Sequence, residues 1–218
     1  VIIDSDNLDK LENLVGVGFA DHQNSFLVGY IAGMMTESKN VGFVGGVQGD
    51  VIDRFEYGYR AGVAYAAKER GEDIEVQVQY ANSFSDQAAG KNIAERMYQQ
   101  GADVVFHAAG GVGIGVIEAA KESNKWVIGV DRDQQAEAPD NMLVSTIKGV
   151  GDAVRLIVEE YQKGEFKGGD TVRFTLADGD AVSIAYADNG LVKDEIKEKV
   201  EQIKKDIIVG KIEVPQNK

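Results

Sequence analysis

Val41-Gly42-Phe43-Val44-Gly45-Gly46, leading on to Asp53-Arg54-Phe55-Glu56-Tyr57, decides the reading of the fold. An apolar run of strand length ends in glycines. A short polar loop follows, and then a helical pattern with Phe55, Tyr59, Val63 and Ala66 on one face. The layout recurs from Asp103 to Phe106 into Ala109-Gly110-Gly111, and from Val127 to Val130 into Asp131-Arg132-Asp133-Gln134. Strands alternating with helices predict a parallel, doubly wound sheet. Ligands of such sheets lie in the crevice beyond the carboxyl ends of the strands, so these loops are expected to line one pocket. Together they offer an aromatic face, backbone amides and a carboxylate, which suits a small polar ring compound.

Working outward, Val15 to Ala20 reads as a buried strand. Asp21-His22-Gln23-Asn24-Ser25 is rich in cap residues and precedes a helix from about Ser25 to Thr36. Glu75 to Tyr80 alternates polar and apolar, as a half-exposed strand does. Ser85-Asp86 caps a helix running to about Gln100, Val112 to Ser123 forms another helix, and Met142 to Ser145 forms a further strand. The pattern then changes. Gly149 to Gly164 is an amphipathic helix, and Thr171 to Tyr186 reads as two strands joined by a hairpin turn at Ala177-Asp178-Gly179-Asp180. Val192 to Ile208 is a charged helix, followed by a tail.

Residues 41–143 form a complete unit, expected to be one lobe of a two-lobed clamshell. Residues 1–40 and 144–218 are expected to be the remainder of the other lobe, with the chain crossing the hinge more than once. Val1-Ile2-Ile3-Asp4 reads as the end of a buried strand, so an N-terminally truncated piece of a longer protein is expected.

Composition excludes several classes. The chain of 218 residues is 44% apolar, enough for a core, and its net charge of −13 opposes nucleic acid as a partner. It has no cysteine, which removes disulfides, thiolate metal sites and cysteine nucleophiles. His22 and His107 are its only histidines, so a multi-histidine metal site is excluded. Gly111-Val112-Gly113-Ile114-Gly115-Val116 fails the dinucleotide pattern, because Val116 stands where the third glycine belongs. No phosphate-cradling loop, nucleophile elbow or zinc-protease motif occurs. No catalytic residue, metal or cofactor is expected.

Phe55, near a helix start, either stacks on a planar base or packs in the core. Asp131, the first polar residue after an apolar strand, either accepts from sugar hydroxyls or serves as a helix cap or hinge ion pair. Gly110 and Gly111 offer backbone N–H groups. Lys148 ends a strand facing the crevice, and Asp4 follows the same strand-end logic. Gln23 and Asn24 either contact a ligand or simply cap the helix, the cap being the preferred reading, and His107 is read as a hydrogen-bonded structural residue.

The run from Phe19-Ala20-Asp21-His22-Gln23-Asn24-Ser25-Phe26 to Gly33 resembles the basic membrane protein family of bacterial substrate-binding lipoproteins. So do Val41 to Gly46, Gly101-Ala102-Asp103-Val104-Val105-Phe106, Gly129-Val130-Asp131-Arg132-Asp133-Gln134 and Ser145-Thr146-Ile147-Lys148. The resemblance implies a type I periplasmic-binding-protein fold, here with its first lobe incomplete, and no enzymatic activity. It further implies a purine nucleoside held between the lobes, an ABC permease as partner, and a lipid anchor on the missing N-terminus at the extracellular face of the cell membrane. Carried onto matching positions, Phe55 becomes the stacking residue, Asp131 the ribose carboxylate and Lys148 a polar contact near the hinge. Gly110 and its neighbours supply backbone contacts. The same fold also serves bacterial repressors, so a ligand-sensing regulatory domain is the alternative reading. A nucleoside-processing enzyme is opposed by the lack of a base or nucleophile among the loops.

Overall fold

A computed structural model describes residues 1–218. The chain builds two sheets. The smaller holds β1 (Ile2–Ile3), β2 (Gly16–Phe19) and β8 (Thr171–Phe174), all parallel. The larger runs in the order β4 (Glu75–Tyr80), β3 (Asn40–Gly45), β5 (Val104–Ala108), β6 (Trp126–Gly129), β7 (Met142–Lys148), β9 (Val182–Tyr186). Its strands are parallel except β9, which pairs antiparallel with β7.

The central strands are mostly apolar because helices cover both faces. Val41 and Phe43 join one buried cluster with Phe26, Tyr59 and Val63, while Val44 joins the other with Ile93, Val116 and Ala120. Helices α1 (Asp21–Met35) and α2 (Asp50–Arg70) form the first layer, α3 (Gln87–Gln99) and α4 (Val112–Ser123) the second. Backbones touch within each layer. A Cβ at Gly58 or Gly62 of α2 would fall on the His22 or Phe26 carbonyl of α1, and one at Gly115 on the Gln87 carbonyl of α3. The glycines of 111–116 thus serve packing: Gly113 leaves room for the His107 ring and Gly115 for α3. Strand β4 is an edge strand, which explains its alternation. Asp86 caps α3 as expected, accepting from Ala89 N–H at 3.0 Å.

Three expectations require correction. Residues 171–186 are not a hairpin: β8 lies in the small sheet and β9 in the large one. Asp178 accepts from Thr175 N–H at 2.8 Å and closes a capping box, so the segment coils as a 3₁₀ turn, Leu176–Ala181, that carries the chain between sheets. Phe174 is drawn to the small sheet by stacking on Phe19 at 5.8 Å. Helix α1 starts at Asp21, so Gln23 and Asn24 lie inside it rather than capping it. Gln23 Oε1 accepts from Leu176 N–H at 3.0 Å, and Asn24 Nδ2 donates to the Ile147 carbonyl at 3.1 Å, tying α1 to the crossover and to β7. Strand β1 is an exposed edge rather than a buried strand, with Val1 and Ile2 open to solvent.

The expected boundary at 143/144 falls within β7, and α1 packs on α2. The chain therefore passes from the small sheet to the large one at Ala20–Asp21, leaves it after Lys148, and returns between Phe174 and Val182. Helix α5 (Val150–Gln162) flanks the small sheet, while α6 (Asp194–Ile208) packs against α1.

Candidate functional site

The carboxyl ends of β1, β3, β5, β6 and β7 open on a cavity of about 560 Å³, within the roughly 300–1,000 Å³ usual for small-molecule sites. The loops after Val44, Phe106 and Val130 reach it through Gln48, Ala109 and Asp131. Asp4, Phe55, Gly110, Asp131 and Lys148 all line it. Gly111 does not. Its N–H donates to the Phe84 carbonyl at 2.8 Å, so the amide expected to face a ligand is already engaged. Gly110 stands exposed at the rim in a left-handed turn (φ +56°).

Lys148 is the last residue of β7 and the centre of the charge arrangement. Its Nζ lies 3.2 and 3.0 Å from the two Asp4 oxygens and 3.2 Å from Asp21 Oδ1. It also sits 5.4 Å from the Phe19 ring centroid and 5.2 Å from that of Phe55, a cation–π placement on each. One ammonium thus joins the small sheet, the start of α1 and the large sheet. Removal from water works against its charge. The carboxylates of Asp21, Asp131 and Asp4 outweigh that cost and raise its pKa above the ordinary lysine value.

Asp21, only 1% exposed, is held from the other side by Arg54, whose Nε and one terminal nitrogen each lie 3.3 Å from Oδ2. Burial pushes the Asp21 carboxyl up to about 6, against the opposing pull of Lys148 and Arg54. The sequence reading treats Asp21 as part of a cap-rich stretch and so misses it. A carboxylate wedged between an apolar strand and an apolar helix was the available signal.

Asp131 takes a left-handed backbone (φ +66°), and its carbonyl accepts from Lys148 N–H at 3.0 Å, locking these two residues together. It caps no α-helix, since only a 3₁₀ turn, Gln135–Glu137, follows. Asp131 is exposed at the cavity mouth, yet the surrounding walls limit the hydration of its carboxyl and raise its pKa. Asp4 adds to the shift and Lys148 opposes it.

Phe55 reaches the cavity but is only 2% exposed: its ring packs toward Phe106, 6.3 Å between centroids, with Lys148 over it. It therefore offers no open stacking face. That face belongs to Phe84, 49% exposed on the loop after β4 and lining the same cavity. The Phe84 ring rests over Gly46, where a Cβ would collide with it. Reading Asn82 to Asp86 only for caps leaves Phe84 without a role. An aromatic isolated among polar loop residues is the mark that identifies it. His107 lies beneath the cavity floor, fully buried, with the Gln134 amide beside its ring.

The site offers acceptors, one ammonium, one open aromatic ring and apolar walls at Val47, Ile52 and Ala108. Such a set holds hydroxyls and a planar ring. A family model described as ABC transporter substrate-binding protein PnrA-like matches residues 1–218. The chain belongs to this family. It is 44% identical over 232 aligned positions to the ABC transporter nucleoside-binding protein BmpA of Lactococcus lactis subsp. cremoris, covering 99% of this chain and 64% of that protein. It is 40% identical over 210 residues to basic membrane protein A of Borreliella afzelii, covering 94% of this chain and 62% of that protein. The chain thus spans about three fifths of the length of these curated relatives. A solute-binding protein of an ABC transporter system from Aeropyrum pernix K1 superposes with a TM-score of 0.89 at 26% identity, covering 99% of this chain and 70% of that one. The architecture of this PnrA-like chain is the type I periplasmic-binding-protein fold, with one lobe represented only in part.

Proposed function

We propose that the cavity is the ligand site of the solute-binding component of an ABC importer and that its ligand is a purine nucleoside. The observation that carries this reading is the meeting, at strand ends where two sheets join, of an exposed aromatic ring, Phe84, with Lys148 and Asp131. Phe84 stacks on the base, a contact worth about 1–3 kcal/mol by the measure of base–aromatic stacking elsewhere. Asp131 accepts from the ribose hydroxyls, Lys148 donates to a hydroxyl or ring nitrogen, and Gly110 forms the rim. Phe55 supports Lys148 from behind rather than stacking. The Lactococcus relative, named as nucleoside-binding, supports the same ligand class.

No chemistry is done on the ligand. The chain crosses between the sheets three times, and closure about these strands encloses the nucleoside before delivery to a permease. No helix of the chain is long and apolar enough to cross a membrane. The whole protein is held at the extracellular face of the cell membrane by a lipid anchor. Calorimetric titration of the 218-residue chain and of the full-length gene product with adenosine, guanosine and inosine tests the reading. Heat of binding with at least one is expected. Absence of heat for all three in the full-length protein rejects it.

A further inference from the structure

Asp131 holds a left-handed backbone that L side chains rarely adopt (φ +66°), and it does so at the cavity wall. Its neighbours supply the constraint. Gln134 folds back so that its Oε1 accepts from Val130 N–H at 2.8 Å, the residue just before Asp131. The Gln134 N–H donates to Ser145 Oγ of β7 at 3.1 Å. Gln134 is 6% exposed and Ser145 is fully buried. Space for this arrangement is built in at Gly129, where a Cβ would fall on Ser145 Oγ and come within 2.9 Å of Gln134 Oε1. The clamp thus spans the ends of β6 and β7, and β7 runs on to Lys148, whose N–H donates to the Asp131 carbonyl at 3.0 Å.

We propose that Gln134 is a positioning residue of the ligand site: by closing the Val130–Gln134 turn onto Ser145, it fixes the Asp131 carboxylate at a set separation from the Lys148 ammonium. This rests on the reading of the cavity as the ligand site. A staple that merely held the loop to the protein would leave the carboxylate's surroundings unchanged once the loop found another hold. A positioning clamp would not, because the raised pKa of Asp131 depends on where its carboxyl sits. Asp131 lies three residues ahead of Gln134 and directly after Val130, whose N–H the clamp holds, so a small relaxation of the turn moves Asp131 directly. Ligand sites tolerate only about 0.5 Å of such displacement before affinity suffers.

The test is Gln134→Met, which keeps length and bulk and removes the acceptor, with Ser145→Ala as the second variant that removes the clamp from the β7 side. In the ligand-free protein, the ¹³C carboxyl titration of Asp131 is followed by NMR. Wild type is expected to titrate above the ordinary aspartate range, and both variants to return toward that range as the carboxylate moves away from the cavity wall. In parallel, nucleoside affinity is measured by calorimetry, with a loss of about tenfold or more expected in each folded variant. Ser145→Ala deletes one oxygen and carries the test where Gln134→Met does not fold. A folded variant in which Asp131 titrates as in wild type and affinity stays within about twofold overturns the proposal. If the variants shift the Asp131 titration while wild type binds no purine nucleoside, the clamp stands and the ligand reading falls.

Discussion

His107 couples the floor of the cavity to pH. It lies on β5 just before Ala108 and Ala109 and is fully buried, with the Gln134 amide as its polar neighbour. Burial lowers its pKa from 6.5 to about 4, against the Gln134 amide that raises it and together with Arg132. Well above pH 6.5 the ring is neutral in folded and unfolded chains alike and contributes nothing to the pH dependence. As pH falls below that value only the unfolded chain takes up the proton, so stability declines until the folded ring titrates near 4. With those two values the loss at pH 5 is about 2 kcal/mol, and near pH 4 about 3 kcal/mol. His22, lowered to about 4 by burial and by Arg54, acts in the same direction, and Asp21 in the opposite one. A double difference isolates His107. Urea unfolding of wild type and His107→Leu is measured at about pH 7.5 and pH 5, and wild type is expected to lose about 2 kcal/mol more than the variant between them. Losses equal to within about 0.5 kcal/mol would mean that the folded ring accepts a proton freely, and the picture of a dry floor beneath Ala108 and Ala109 would be wrong.

Phe84 and Phe55 separate binding from stability. Phe84→Ala is expected to weaken nucleoside affinity by about 1–3 kcal/mol in calorimetry while leaving the melting temperature in place, because the ring is half exposed. Phe55→Ala is expected to cost about 3–5 kcal/mol of folding stability in urea, as emptying a core aromatic does. Asp21 titrates near 6 when folded, raised from 3.8, so its contribution is fully present below 3.8 and is lost as pH rises through 6. Between about pH 5 and pH 7 that amounts to about 1 kcal/mol, a slope that Asp21→Asn should remove from the unfolding curves.

The parts of the fold that were legible follow from two-sided burial. β3, β5 and β6 are apolar on both faces because two helix layers cover them, and a continuous apolar run followed by a helical period states that directly. The same alternation placed Asp131 and Lys148 at strand ends, where parallel sheets put ligands. What was not legible depends on contacts distant in sequence. Asp178-Gly179 carries the local signal of a hairpin, but the flanking strands are claimed by different partners, Phe174 by Phe19 and Val182 by Lys148. Gln23 and Asn24 have cap chemistry, yet their acceptors and donors come from Leu176 and Ile147, far along the chain. Phe55 has the spacing of a helix face and the position of a ligand contact, and spacing cannot say that Lys148 will lie across its ring. Gly111 could be recognised as a backbone donor, but its acceptor, the Phe84 carbonyl, lies in a loop of another βα unit.

On the proposed reading of the cavity, its charge balance selects among ligands that share a base. Asp4, Asp50 and Asp131 face it, with Lys148 as its one lining cation, and that ammonium is already paired with Asp4 and Asp21. A neutral nucleoside can accept from Lys148 and donate its hydroxyls to the carboxylates without adding charge. A nucleotide brings a phosphate into a site where carboxylates outnumber free cations, and like charges in a water-poor cavity repel strongly. Arg54 cannot relieve this, because both nitrogens that reach into the network are held by the buried Asp21. The pairing of Lys148 with Asp4 also sets the order of events on binding. Asp4 follows β1 and Lys148 ends β7, so a ligand that takes over the ammonium releases an ion pair between the sheets and replaces it with itself. Ligand and lobe contact then compete for the same donor, so a nucleoside adds to closure only by contacts to both sides that together exceed the ion pair it displaces.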